Sequence, residues 1–157
     1  MNEVRFSLPI TPPTATAQQK GVFVTPTGKA LFYEKAKVKA ARKLLEASMA
    51  RFRPPVAMSG PLQVSVEFHF PYRSAERRAI VAAGIPIPHW TKFDIDNLLK
   101  GFLDSMTRLG FWNDDSQISW LQARKLWSAR PRIDVFVFAM SEQGEPEKQD
   151  AAPEVSP

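Results

Sequence analysis

The segment LQVSVEFHF, residues 62–70, alternates without a break: Leu62, Val64, Val66, Phe68 and Phe70 against Gln63, Ser65, Glu67 and His69. A period of two with five large apolar side chains on one side requires a β-strand with one buried face. One strand cannot bury that face alone, so the chain has to supply sheet partners and a covering layer. VRFSLPI near the start offers a partner, with Val4, Phe6, Leu8 and Ile10 on one side. GVFVTP reads as a short strand stopped by Pro26. SQISWLQARKLW reads as another strand. RIDVFVFAM is apolar on both faces past Asp134, which predicts a central sheet position or an oligomer interface.

Two segments carry helical character. From about Gly28 to Arg51 the chain is rich in Ala, Lys, Leu and Glu with no internal Pro, which predicts one long helix with a basic, solvated face. From about Asp96 to Leu109, Leu99, Phe102, Leu103 and Met106 form a core-facing stripe. Between Pro71 and Thr91 lies a basic surface insertion with a helical turn or two. TPPTATAQQKG near the start reads as a loop. The element order predicts an α/β (α+β) domain, a single mixed β-sheet flanked by helices, over residues 1–140. Residues 141–157 carry five acids and one lysine and no aromatic residue, and read as an acidic disordered tail.

The chain has 157 residues and no cysteine, which excludes disulfides and thiolate zinc sites. No window approaches the roughly 18 apolar residues of a membrane span, and MNEVRFSLPI lacks the apolar core of a signal peptide. A cytoplasmic protein with no membrane partner is expected. The net charge is +5, but the body to residue 140 holds 20 basic against 11 acidic residues. A surplus of that kind favours polyanionic partners through counterion release and steering.

Against that background KFDIDNLLKGFLDSMTRLGFWNDDSQ gathers Asp94, Asp96, Asp104, Asp114 and Asp115. Asp96, Lys100, Asp104 and Thr107 fall on one polar flank of the helix, and Asp94 lies in its extended lead-in. Standing alone, Asp94 and Asp96 read as a helix cap and a neighbouring acid. The spacing excludes an EF-hand, because Leu98 and Leu99 occupy positions that need an oxygen ligand and a glycine. Asp114 and Asp115 open the following strand, and a short return places them near the end of the helix. A meeting with Asp94 and Asp96 requires the connecting loop to fold back. Were they to meet, a carboxylate cluster without His or Cys suits Mg²⁺ or Mn²⁺, and Lys100 would hold a phosphate oxygen.

The run Asp94, Asp96, Asn97, Lys100, Asp104, Asp114, Asp115 and Gln117 resembles the pattern DxDNxxKxxxDxL…DDxQ of the RusA family of Holliday-junction-resolving endonucleases. Looser agreement runs from about residue 4 to 140. The resemblance implies a RusA-like fold and a homodimeric, Mg²⁺-dependent nuclease that makes paired cuts in four-way DNA junctions during recombination and repair. By that resemblance Asp94, Asp96 and Asp115 are catalytic metal ligands and Lys100 is the essential basic catalytic residue. Asp114 and Asp104 are possible additional members. Phe93 stands where the family has Pro, and the insertion around residues 73–92 is longer than in the shortest members.

Arg73, Arg77, Arg78, Lys92, Arg124 and Lys125, with Arg130 and Arg132, are candidate DNA contacts. For each, a solvated surface charge is the simpler reading. His69 and His89 are expected to have no catalytic part, and Trp112, Trp120 and Trp127 to pack in the core or at a dimer interface. Two other functions fit the same sequence: a branched-DNA-binding module that does not cut, and a nuclease for flaps or other branched DNA.

Overall fold

The computed structural model describes residues 2–14 and 20–141. Residues 15–19 of the expected loop, and all of the expected tail but Ser141, lie outside the described residues. Strand β1 spans Glu3–Leu8, β2 Lys20–Val24, β3 Ala30–Glu34, β4 Leu62–Pro71, β5 Ile87–Pro88, β6 Ile118–Ser128 and β7 Arg132–Ala139. The helices are α1 (Ala36–Met49), α2 (Ser74–Ala83) and α3 (Ile95–Leu109). Five strands form a mixed sheet in the order β1-β7-β4-β6-β5, and β2 and β3 form a separate two-stranded sheet. The fold is α+β, as the order of elements predicts.

The alternating segment becomes β4, with β7 antiparallel on one side and β6 parallel on the other. Its apolar face is fully buried: Leu62, Val64 and Val66 have no exposed surface, and Phe68 and Phe70 almost none. β7 is flanked by β1 and β4, so its doubly apolar sequence reflects a central position. Ile133, Val135 and Val137 face the core, while Phe136 and Phe138 stack on the opposite face.

The parallel β4–β6 pair needs a long crossover, which α2, β5 and α3 supply. Leu98, Phe102, Leu103 and Met106 bury the apolar stripe of α3, and Phe102 meets Phe68 edge to face at 5.8 Å. Helix α1 lies against α3, and Glu46 of α1 accepts from Arg108 Nε at 2.9 Å.

The helix expected from Gly28 is shorter than predicted and begins at Ala36. ALFYE ahead of it is β3, paired antiparallel with β2 so that Val22 meets Phe32 and Phe23 meets Leu31. The reversal is a turn in which the Gly28 N–H donates to the Thr25 carbonyl at 2.9 Å, with Gly28 at φ +79°. That angle is open to glycine without strain, and aromatic and β-branched cross-strand pairs outweigh the helix propensity of the alanine and glutamate around them. The insertion also holds more helix than the turn or two expected. α2 has ten residues, ends on Gly84 in the left-handed region, and buries Ile80. Among the described residues no helix is long and apolar enough to cross a membrane.

Candidate active site

Asp94 is the residue before the first turn of α3, in an extended conformation (φ −69°, ψ 131°). Its carboxylate does not cap the helix. The side-chain bond it accepts comes from Asn97 Nδ2, at a long 3.3 Å. Asp96 stands in the first helical turn. Both acids are exposed, and both line one open cavity of about 630 Å³ together with Trp90, Phe93, Arg124 and Lys125. The all-oxygen donor pair, with lone pairs left over and facing a shared cavity, fits a hard divalent ion.

The lead-in to Asp94 is held from β6. Lys125 Nζ donates to the Thr91 carbonyl at 2.6 Å and also to the Phe93 carbonyl. Burial pushes the Lys125 ammonium below its ordinary pKa, and the charge of Asp94 works in the opposite direction. A cis peptide joins Lys92 to Phe93. Just upstream, the buried ring of His89 stacks on Trp127 at 3.7 Å. Its pKa is lowered to about 4, first by burial and then by the charge of Lys125.

Asp115 lies elsewhere. Its carboxylate accepts from the Trp112 indole N–H at 2.9 Å and from the Thr107 hydroxyl. Thr107 is eleven positions after Asp96 on α3, roughly 16 Å along the axis at 1.5 Å per residue. The tight return through Gly110, at φ +77°, delivers Asp115 to the end of the helix and does not fold it back to the start. Asp114 caps the short 3-10 turn Asp115–Gln117 by accepting from Ser116 N at 2.8 Å, and the hydrogen bonds from Ser116 hold its carboxyl below the usual range. Gln117 fixes this turn by donating to the Met58 and Gly60 carbonyls, each at 3.1 Å. Lys100 is exposed one turn beyond Asp96, and Asp104 is half-buried two turns beyond it.

The candidate DNA contacts divide by what they already hold. Arg73 pairs with Glu76 and lies over the Trp127 ring. Arg124 pairs with Glu67, and Arg132 with Asp134 at 2.7 Å. Lys125 points inward to the lead-in. Arg77, Arg78, Lys92 and Arg130 are exposed.

A second group of ligand-type side chains sits on the other face of the sheet. The donor atoms of Glu67, His69 and Asp134 lie within 4.8 Å of one another, close enough to hold a metal ion. His69 Nε2 is 3.2 Å from Glu67 and 3.1 Å from Asp134. Arg124 and Arg132 already balance the two carboxylates, so the group is a charge-compensated network as it stands. Alternation puts His69 on the polar face, yet it is 1% exposed, because ion pairs from β6 and β7 close over it. Burial and the charge of Arg132 lower its pKa.

Lys125, a candidate phosphate contact by sequence, turns its ammonium to the carbonyls of the lead-in. The strand period contains the signal. Lys125 shares a face with Leu121, Ala123 and Trp127, the side of β6 next to the core-facing residues of β4.

With this geometry in place, comparison with known proteins identifies the chain. Residues 10–138 match the family Endodeoxyribonuclease RusA. Over 135 residues the chain is 32% identical to a crossover junction endodeoxyribonuclease rusA of Lactococcus phage r1t, an alignment covering 85% of this chain and 94% of the relative. It is 29% identical over 119 residues to the uncharacterized protein YqaN of Bacillus subtilis (strain 168), covering 73% and 82% of the two chains. An α+β sheet domain that sets two aspartates into one cavity thus belongs to the RusA family of endodeoxyribonucleases, and the protein is an endonuclease.

Proposed function

We propose that this endonuclease resolves four-way (Holliday) DNA junctions in recombination and repair, working as a Mg²⁺-dependent homodimer that also accepts Mn²⁺. Residues 1–140 form the nuclease domain of a cytoplasmic protein. The observation that carries this reading is the pair Asp94 and Asp96, exposed and uncapped on one cavity wall, with their lead-in bolted to the sheet. The crossover-junction activity in the name of the phage relative supports the choice of substrate.

Asp94 and Asp96 would hold the ion within one chain. When bound, it would supply charge neutralisation at the phosphate and a more acidic water. Lys125 and the first turn of α3 fix where Asp94 stands before substrate arrives. Lys100, one turn along and exposed, offers its ammonium to a phosphate oxygen as negative charge builds there. Asp114, spent as a cap, orients Asp115, and Asp104 supports α3.

Asp115 enters from a second copy. β6 pairs with β5 only at Leu126 and Trp127, so its outer edge from Ile118 to Ala123 meets no strand among the described residues. Trp120 and Leu121 on that stretch are 57% and 45% exposed. Unpaired strand edges of this kind invite a further strand. β6 begins at the turn that holds Asp115 and ends beside Asp94. Antiparallel pairing of two β6 edges about a two-fold axis therefore carries each Asp115 toward the other copy's Asp94 and Asp96. Two such sites suit a two-fold symmetric junction.

The test compares junction, flap and plain duplex at one salt concentration, with and without Mg²⁺. Paired cuts favouring the junction support the proposal. Preference for flaps makes the enzyme a nuclease of other branched DNA, and metal-independent binding without cuts makes it a binding module.

A further inference from the structure

The segment between β5 and α3 is pinned on both sides of Trp90 while the indole itself stands in solvent. On one side, the His89 N–H donates to the Lys125 carbonyl at 2.9 Å. The His89 ring lies between Trp127, stacked at 3.7 Å, and Phe70, edge-on at 5.0 Å. On the other side, the Thr91 N–H donates to His89 Nδ1 at 3.3 Å, and its carbonyl accepts from Lys125 at 2.6 Å. Trp90 between them is 86% exposed, the highest value of any large apolar side chain described. Its neighbours supply all the anchoring of the segment, so the fold makes no use of the indole.

Trp90 also lines the cavity that holds Asp94 and Asp96. Asp94 is four positions further along, at most ~14 Å of chain. Lys92, two residues along the same segment, is exposed. A rigidly mounted aromatic face beside a cation, close to acids proposed to act on a phosphodiester, is the arrangement that accepts a nucleobase. Stacked duplex offers no free base face, whereas a branch point does.

Resting on the proposed junction activity, we infer that Trp90 is a stacking platform for an unstacked DNA base beside the scissile phosphate, and so a determinant of selectivity for branched over plain duplex DNA. The competing occupant is a second copy of this chain, since Trp90 is near the strand edge proposed to pair.

The experiment measures binding in EDTA, to hold substrate uncut, of wild type, Trp90→Ala and Trp90→Phe. The probes are a four-way junction carrying 2-aminopurine at the exchange point and a plain duplex of the same length. Subunit number is read by light scattering. For Trp90→Ala the account expects a loss of junction affinity on the order of tenfold with duplex affinity unchanged. Trp90→Phe should retain most of the affinity, and 2-aminopurine should be quenched by wild type and not by Trp90→Ala. Equal junction affinity in Trp90→Ala, or an equal loss on junction and duplex, overturns the inference while leaving the junction activity standing. A shift of Trp90→Ala to monomer assigns the indole to the subunit contact and also overturns it. Wild type with no preference for the junction removes both the inference and the reading beneath it.

Discussion

The ammonium of Lys125 lies 2.6 Å from the carbonyl oxygen of Thr91, three residues before Asp94. One strand of the main sheet thereby fixes the lead-in to an acid that belongs to a helix. Asp94 needs such an anchor because it sits in extended chain with no capping bond of its own. Lys125→Met should raise the Mg²⁺ concentration for half-maximal cleavage on the order of tenfold, the scale seen when a group orienting a ligand is lost. A metal titration that matches wild type would remove Lys125 from the positioning of the site.

Placement of Asp115 at the far end of α3 gives a prediction for mixed subunits. Asp94→Asn and Asp115→Asn should each be inactive alone. If Asp115 serves the other copy's aspartates, a heterodimer of the two variants holds one intact site, so mixing them should restore nicking of one strand. Continued inactivity of the mixture, with subunit exchange verified, would argue for a site built within one chain.

His89 links stability to pH. Its folded pKa is lowered to about 4 from an ordinary 6.5. Between those values the unfolded chain binds more protons than the folded one. Stability should therefore fall as pH drops from about 6.5 toward 4, by at most about 3 kcal/mol from this residue, and its contribution should level off below that. His69, lowered in the same direction, adds to the trend. Thermal melts across that range check this, and His89→Phe, which keeps a ring against Trp127, should flatten part of the slope. An unchanged slope would mean that other groups dominate.

The core interlock predicts a conventional penalty. Phe102 is 1% exposed and meets Phe68 edge to face, so Phe102→Ala should destabilise by about 3–5 kcal/mol. Chemical denaturation measures it directly. A loss below 1 kcal/mol would mean that α3 does not pack on the sheet as described.

Much of this molecule is written in local pattern. β4 follows from an uninterrupted alternation, and α3 from a stripe at helical spacing. The central place of β7 follows from a strand apolar on both faces. What escapes the sequence depends on partners distant along the chain. ALFYE looks like the start of a helix until Gly28 turns it back on GVFV. His69 looks solvated until Arg124 and Arg132, on neighbouring strands, bring ion pairs around it. Asp94 and Asp96 are legible as acids at a helix entrance, and the cavity they share agrees. The place of Asp115 at the helix end follows from the short return after α3; what the sequence does not show is how it is held there, by the left-handed Gly110 and the hydrogen bonds from Trp112 and Thr107.

The most direct measurement is cleavage of a synthetic four-way junction by wild type and by Asp94→Asn, run beside a binding assay on the same preparations. Wild type should make symmetric paired cuts only when Mg²⁺ is added. Asp94→Asn should lose cleavage by at least about a thousandfold (roughly 4 kcal/mol) with junction affinity equal to or above that of wild type. Cleavage by Asp94→Asn at the wild-type rate would contradict the proposed site.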